Sequence, residues 1–429
     1  MTKEQNKILI QGAILNGKVS DLLIEGNRIK TIAENIPKEE GMQVIDGKGR
    51  AIVPGMHNCH THSAMTIYRG FGDDLKLMDW LENWIWPVEA VMTEEDVYWG
   101  SKLACLEMIK SGTTAFLDMY TFPLCTAQAV EDMGMRAVLS YTLFDRGDEK
   151  RAKLDREQCY TYMEKYKHFS DRVEYSLGPH AIYTVSGPQL QFCHEFSQEN
   201  DVLIHLHLSE TDGEVKDSIR NYGLSPVRYL DKLGVLSPNL VIAHGVWLDE
   251  EEMDLLAKHN VKVVHNPASN LKLASGYRFQ YEEMKKRGIL IGIGTDGCSS
   301  SNNLDMYTAM KLAAFMGKAW RFDPTAMKAE DIFETATKSG AAIMRIDAGE
   351  IKEGKLADLV LVNLNRPEML PCHNLTSNLV YSAAGAAIVD TTIVDGKVLM
   401  LHGKVDGEDE IMEKASKCAY DMLKRANKA

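Results

Sequence analysis

The sequence predicts an α/β protein: a (β/α)8 TIM-type barrel with a small β-sandwich domain built from both chain ends. Three observations predict it. Short apolar runs near residues 56–60, 114–119, 137–144, 173–178, 202–207, 240–244, 261–264 and 289–294 alternate with amphipathic helical stretches. Eight such runs are the number a parallel barrel needs. Both chain ends read instead as short β patterns separated by turn signals. Finally, His60, His62, His180, His207, His244 and Asp296 all fall at or just beyond the ends of runs. The C-terminal mouths of the strands are where such barrels place their chemistry.

In chain order, Ile8-Leu9-Ile10, Asp21-Leu22-Leu23-Ile24 and Arg28-Ile29-Lys30-Thr31-Ile32 are antiparallel strand patterns, with Glu25-Gly26-Asn27 and Asp46-Gly47 as turns. The same character returns at Ala357 through Val362, and in Thr392-Ile393-Val394, Asp395-Gly396 and Lys397-Val398-Leu399-Met400, which read as a hairpin. Neither end could bury a face alone, so the two are expected to pair. Residues from about 408 onward have a highly charged helical pattern. The expected division is therefore 1–54 with 350–405 for the composite β domain, 55–349 for the barrel and 406–429 for a C-terminal helix.

A chain of 429 residues can bury a large core, and 45% hydrophobic with 25% charged residues is ordinary for a soluble globular protein. The net charge of -13 argues against a nucleic-acid backbone or an anionic membrane as partner. No apolar run approaches the roughly 20 residues that span a bilayer. No signal-peptide core follows the polar start at Met1 to Lys7. The eight cysteines are scattered, without a Cys-x-x-Cys. They read as reduced thiols of a cytoplasmic protein and argue against a cysteine metal site.

The run ends carry the chemistry. His60 and His62 are at i and i+2, which puts both imidazoles on one face of an extended strand. His207-Leu-Ser-Glu210, His244 and Thr295-Asp296 each follow another apolar run. Two imidazoles on one face, with a third and a carboxylate from elsewhere, hold a divalent metal and leave a position open for water. The residues alone read as a metal-dependent hydrolase.

Val53-Pro54-Gly55-Met56-His57-Asn58-Cys59-His60-Thr61-His62 and Gly292-Ile293-Gly294-Thr295-Asp296-Gly297 resemble the first- and last-strand signatures of the amidohydrolase superfamily. The flanking β segments resemble its small composite domain. Within it, three stretches are similar to the 5'-methylthioadenosine/S-adenosylhomocysteine deaminases. They are Ala64-Met65-Thr66 through Arg69-Gly70 with Asp73-Asp74-Leu75, then Trp86-Pro87-Val88-Glu89, and His265-Asn266-Pro267-Ala268-Ser269-Asn270-Leu271-Lys272.

The resemblance implies one metal per subunit held by His60, His62, His207 and Asp296, Zn2+ first and Fe2+ as the other candidate. It implies a small-molecule adenine nucleoside as substrate, with water entering at purine C6 and ammonia leaving. Glu210 would shuttle a proton to ring N1. His244 would hold and polarise the attacking hydroxide. Asp296 would take its proton and pass it to the departing ammonia. Glu89 matches the carboxylate that holds the ribose hydroxyls, a task suited to an acceptor facing two O–H donors. His180 matches a histidine near purine and sugar. An arginine near the sugar or its tail is expected between the third and fourth strands. Arg146 is the candidate there, with Arg151 and Arg156 as the others. A homodimer or homotetramer is also implied.

Plainer readings cover the rest. The run Glu174 to His180 carries no lysine, which argues against a carboxylated-lysine bridge between two metals. His205 shares a strand face with His207, and the family's His-x-x-Glu spacing selects His207. His168, His194, His259 and His402 read as surface or structural residues, His57 as capping or packing, and His265 as ordering the loop after the seventh strand. Trp80, Trp84 and Trp86 read as packing, with one as a wall of a purine pocket in the second reading. Cys298 lacks the Cys–His neighbourhood of a nucleophile. Two other functions stand beside the first. One is an aminohydrolase of guanine, a pterin or another amino-heterocycle, which would give Glu89 no ribose to hold. The other is a barrel that has lost catalysis, which would show a broken ligand set.

Overall fold

The computed structural model describes residues 6–428; the N-terminal pentapeptide weighed above and Ala429 lie outside them. Strands β1 (Lys7–Leu15), β2 (Lys18–Glu25), β3 (Arg28–Ala33), β4 (Gln43–Asp46) and β5 (Arg50–Pro54) come first. Then follow β6 (Met56–Thr61), β7 (Thr113–Tyr120), β8 (Arg136–Leu143), β9 (Val173–Pro179), β10 (Leu203–Leu208), β11 (Leu240–His244), β12 (Lys262–His265) and β13 (Ile291–Ile293). The last three are β14 (Leu359–Asn363), β15 (Val389–Val394) and β16 (Lys397–Met400).

The strands of both chain ends share one mixed sheet in the order β16-β15-β14-β5-β1-β2-β3, with β4 paired to β1. The antiparallel β5–β14 ladder joins the two ends. Ile8, Ile10, Leu22, Ile24, Ile52, Leu359, Leu361 and Ile393 are buried together, which is the face neither end could cover alone. The sheet departs from the antiparallel expectation at β1, which runs parallel to β4 and β5. The cause is the segment 34–42, which crosses back and buries Ile36 and Met42 against Leu9, so β4 starts from the same end as β1.

β6 to β13 form the second sheet, each strand hydrogen-bonded to the next in sequence order and parallel to it. Buried on both faces, most of these strands read as largely apolar runs, and that is why they were visible in the sequence; β6, Met-His-Asn-Cys-His-Thr, is buried although mostly polar. Among the described residues no ladder joins β13 to β6. Side chains and one backbone bond close the seam instead. Thr295 N–H donates to Asn58 Oδ1 at 3.1 Å, and Asn58 Nδ2 donates to Thr295 Oγ1 at 2.7 Å. Just beyond, Asp296 N–H donates to the His60 carbonyl at 3.0 Å. A Cβ at Gly294 would lie 2.8 Å from His60 Cβ and 2.4 Å from Asn266 Oδ1, so only glycine permits this approach.

The helix Glu94–Lys110 begins with a reciprocal cap: Thr93 Oγ1 accepts from Asp96 N–H, and the Asp96 carboxylate accepts from Thr93 N–H at 2.8 Å. The C-terminal helix Glu408–Arg425 packs on it. Ile411, Ala415, Cys418 and Met422, at helical spacing, are its buried stripe. Among the described residues no helix is long and apolar enough to cross a membrane.

Asn58→Ala is expected to cost about 3 kcal/mol, from two buried hydrogen bonds and the Thr295 groups left unpaired. Urea unfolding of the metal-loaded protein reads this, and a change below about 0.5 kcal/mol would show that the seam is held elsewhere.

Candidate active site

Three strands and one loop deliver a compact cluster at the barrel mouth. His60 and His62 stand at the end of β6, His207 near the end of β10, His244 at the last residue of β11 and Asp296 just beyond β13. Asp296 Oδ1 lies 3.5 Å from His60 Nε2 and 3.2 Å from His62 Nε2. His207 Nε2 lies 3.4 Å from His62 Nε2, and His244 Nε2 lies 4.0 Å from Asp296 Oδ2. The ligand atoms of His60, His62 and His207 lie within 4.8 Å of one another, as do those of His60, His244 and Asp296.

The rings are held by their far nitrogens. His62 Nδ1–H donates to the Met119 carbonyl at 2.6 Å and His207 Nδ1–H to the His180 carbonyl at 2.8 Å. His244 Nδ1 meets Asn270 Oδ1 at 2.8 Å, and His60 Nδ1 meets His205 Nε2 at 3.0 Å. A carbonyl partner fixes the tautomer and leaves the Nε2 lone pair directed at one centre. His60 Nε2 is buried and has no hydrogen-bond partner among the described residues. A cation satisfies such a lone pair, and this mixed N/O set suits a divalent metal. Burial pushes the His60 imidazole down to about 4, which keeps it neutral. Burial would raise the Asp296 carboxyl, but His60 and His62 beside it hold it well below the usual range.

Strain accompanies the cluster. His244 (φ 77°), Asp296 (φ 60°) and Ser209 (φ 51°) all sit in the left-handed region although none is glycine. The turn through Ser209 and Glu210 is held by Glu214, whose carboxylate accepts their N–H groups at 2.9 and 2.8 Å. Glu210 Oε2 lies 3.9 Å from His244 Nε2, and Ser275 Oγ donates to Glu210 Oε1 at 3.3 Å. Burial raises the Glu210 carboxyl above its ordinary value.

A cavity of about 690 Å³ opens over the cluster. His62, His207, Glu210, His244 and Asp296 form its floor, while His60 lies beneath with no exposed surface. Trp80, Trp86, Glu89, Tyr120 and Phe144 stand in its walls. Tyr120 Oη donates to Glu89 Oε1 at 2.7 Å. His180 lines the cavity between Phe144 and His207, 4.9 Å from each ring, with Nδ1 2.9 Å from Thr184 Oγ1.

Of the three arginines, Arg146 and Arg151 border the cavity and Arg156 does not. Arg151 is paired with the buried Asp155 at 3.0 Å, and Arg156 donates to Gln189 Oε1 at 2.8 Å. Arg146 enters no ion pair among the described residues; its guanidinium lies 4.8 Å from the Trp86 and Phe144 rings. Trp80 and Trp86 both line the cavity, whereas Trp84 packs on Phe71. His205 is fully buried one step below His207. Sequence reading passed over Tyr120, Glu214 and Ser275. Ser275 acts on Glu210 and Tyr120 on Glu89 across fold contacts without a local pattern, whereas Glu214 binds the Glu210 turn from only four residues away. Asn270 lay in a quoted stretch, but its bond to His244 was not visible there.

The profile of the amidohydrolase family matches residues 51–399. The chain belongs to that family. A Thermococcus sibiricus protein named 5-methylthioadenosine/S-adenosylhomocysteine deaminase is 46% identical over 398 residues, covering 92% of this chain and 93% of that one. A Methanothermobacter thermautotrophicus protein named 5'-deoxyadenosine deaminase is 44% identical over 419 residues, covering 97% of each chain. The zinc-bound crystal structure of an adenosine deaminase from Xanthomonas campestris superposes with a TM-score of 0.90 at 31% identity over 99% of both chains. The amidohydrolase fold thus extends over the whole described chain, the terminal sheet included.

One histidine beside the site gives a pH dependence. His265 is stacked on Phe279 with ring centroids 4.0 Å apart, and burial pushes it down to about 3. The unfolded chain takes up that proton near pH 6.5, so stability present above 6.5 is lost as pH falls toward 3. His265→Phe, which keeps a ring against Phe279, is expected to lessen the drop in urea midpoint between pH 7.5 and pH 5, to which the buried His57 and His180, also pushed down by burial, contribute as well. An unchanged drop would mean that His265 is not among the groups responsible.

Proposed function

We propose that this protein is a cytoplasmic, metal-dependent aminohydrolase that deaminates adenine nucleosides. 5'-Methylthioadenosine and S-adenosylhomocysteine are its preferred substrates, Zn2+ its ion, and a homodimer or homotetramer its state. One observation carries the reading: a single cavity holds the His/Asp cluster with Glu210 on its floor and Glu89 in its wall. The names of the Thermococcus and Methanothermobacter relatives support it. The proposal includes the division into 1–54 with 350–405, 55–349 and 406–429, which the end of β5 at Pro54 and the start of β6 at Met56 support.

His60, His62, His207 and Asp296 hold the ion, which when bound supplies a water activated for attack at neutral pH. Glu210, raised by burial and steadied by Ser275, delivers a proton to ring N1 as C6 becomes tetrahedral. His244, fixed by Asn270, orients the attacking water beside Glu210 and Asp296. Asp296, kept ionised, accepts the proton that leaves with ammonia. Glu89 anchors the ribose hydroxyls, with Tyr120 fixing one carboxylate oxygen. His180 lies against purine and sugar, and Arg146 faces the tail on the 5' side.

Ammonia release and the ultraviolet change from adenine to hypoxanthine test the proposal on zinc-loaded protein. The panel is methylthioadenosine, adenosylhomocysteine, adenosine, adenine and guanine. Turnover of the nucleosides with adenine untouched is expected, and Glu89→Ala should raise KM for nucleosides alone. Turnover of guanine only would move the substrate to a free amino-heterocycle and remove the ribose role from Glu89. Glu210→Gln should retain metal and substrate while kcat falls roughly 10²–10⁴-fold; retained turnover would take Glu210 out of the chemistry.

A further inference from the structure

Three segments at the barrel mouth meet on one side chain. Lys272 ends the short helix Pro267–Lys272 that follows β12. Its Nζ donates to Asp73 Oδ1 at 2.6 Å, to the Ser299 carbonyl at 3.1 Å and to the Asn302 side-chain oxygen. Asp73 lies in the segment after β6, and Ser299 and Asn302 in the segment after β13. Arg69 adds a third link by donating to the Asn302 carbonyl, which joins the segment after β6 directly to the one after β13, and it pairs with Glu107.

What these segments carry gives the junction meaning. The segment after β12 supplies Asn270, which holds His244, and Ser275, which donates to Glu210. The segment after β6 leads directly into Trp80, Trp86 and Glu89 in the cavity wall. Its approach is jointed: Gly70, Gly72 and Asp74 have φ of 75°, 75° and 62°. A Cβ at Gly70 would meet nothing within 4 Å. The link packs on the wall through Phe71 and Gly72 against Trp84, and Lys272–Asp73 is the ion pair that ties it, and the wall with it, to the segment after β12.

We propose that Lys272 is a positioning residue, the latch that seats the Trp80–Glu89 wall over the cavity and in the same act fixes the segment aligning His244 with Glu210. The proposal rests on the roles given above to Glu89, His244 and Glu210. An ion pair whose partners are 25% and 35% exposed contributes little in isolation. A lysine has three donors, however, and here each goes to a different residue, so one charge organises all three segments at once.

The test uses the zinc-loaded full chain with Lys272→Met, Asp73→Asn and the double variant. Steady-state kinetics on methylthioadenosine are read alongside amide hydrogen exchange. Either single variant should raise KM and lower kcat, changing kcat/KM roughly fivefold or more. The double variant should be no worse than the more affected single one, because both break the same link. Exchange should quicken in residues 70–90 and 266–276 and stay unchanged in the barrel strands. Unchanged kinetics and exchange, independent effects of the two substitutions, or exchange that quickens throughout the barrel would each overturn the latch. If the wild type proves inert on every nucleoside, the deaminase reading falls by itself. The latch is then judged by exchange: confined quickening upholds it and none overturns it.

Discussion

The junction between the first and last barrel strands is the constraint on which the site depends. β13 has only three residues, too few to zip onto β6, so Asn58 and Thr295 close the barrel with side-chain hydrogen bonds. That seam brings the His60 carbonyl onto the Asp296 N–H and so sets the carboxylate beside both imidazoles of β6. Gly294 makes the approach sterically possible. Residues separated by more than half the chain are thereby placed within one coordination sphere's reach.

The buried polar groups around this junction are ordered in shells. Each Nε2 aimed at the centre is balanced by an Nδ1 bonded to a carbonyl, an amide or His205. The acceptors come from neighbouring strands and loops, so ring orientation is inherited from barrel geometry. Burying imidazoles is tolerable where each finds a partner, and a lone pair left over becomes a place for a cation. Glu214 does the same for the turn that carries Glu210, binding two backbone N–H groups of a left-handed segment that would otherwise relax.

The wall opposite is built on different terms. It consists of one continuous helical stretch from Leu77 to Glu89 with a π turn at Leu81–Ile85, which is too short to be stable alone. Its inner side packs Trp80, Ile85 and Val88 with Met422 of the C-terminal helix. Lys428 reaches the Asn83 carbonyl at 3.1 Å and lies over the Trp84 ring. The end of the chain therefore supports a wall of the cavity, which gives the charged C-terminal helix a part that its composition did not announce. Barrel floor and helical wall thus draw stability from separate sources, one rigid and one dependent on docking.

By itself the sequence determined the eight barrel strands and the residues at their mouths. Most of the barrel strands, buried on both faces, are largely apolar, and a polar residue at a mouth ends the run; β6, Met-His-Asn-Cys-His-Thr, is buried although mostly polar. His60, His62, His207, His244 and Asp296 were therefore legible as the places where such runs stop. The pairing of the chain ends was legible too, since neither could bury a face alone. The tertiary structure alone decided which atoms meet. It made β1 parallel to β4 through the return of Ile36 and Met42. It set His205 beneath His60 and neutralised Arg151 with Asp155 while leaving Arg146 unpaired. It joined Tyr120 to Glu89 and Ser275 to Glu210. Apart from the Arg151–Asp155 pair, one helical turn apart, these contacts link side chains far apart in sequence whose local surroundings are unremarkable, so no periodicity records them. They exist because a closed barrel forces eight loops into one small opening, where any polar group without a partner would be costly.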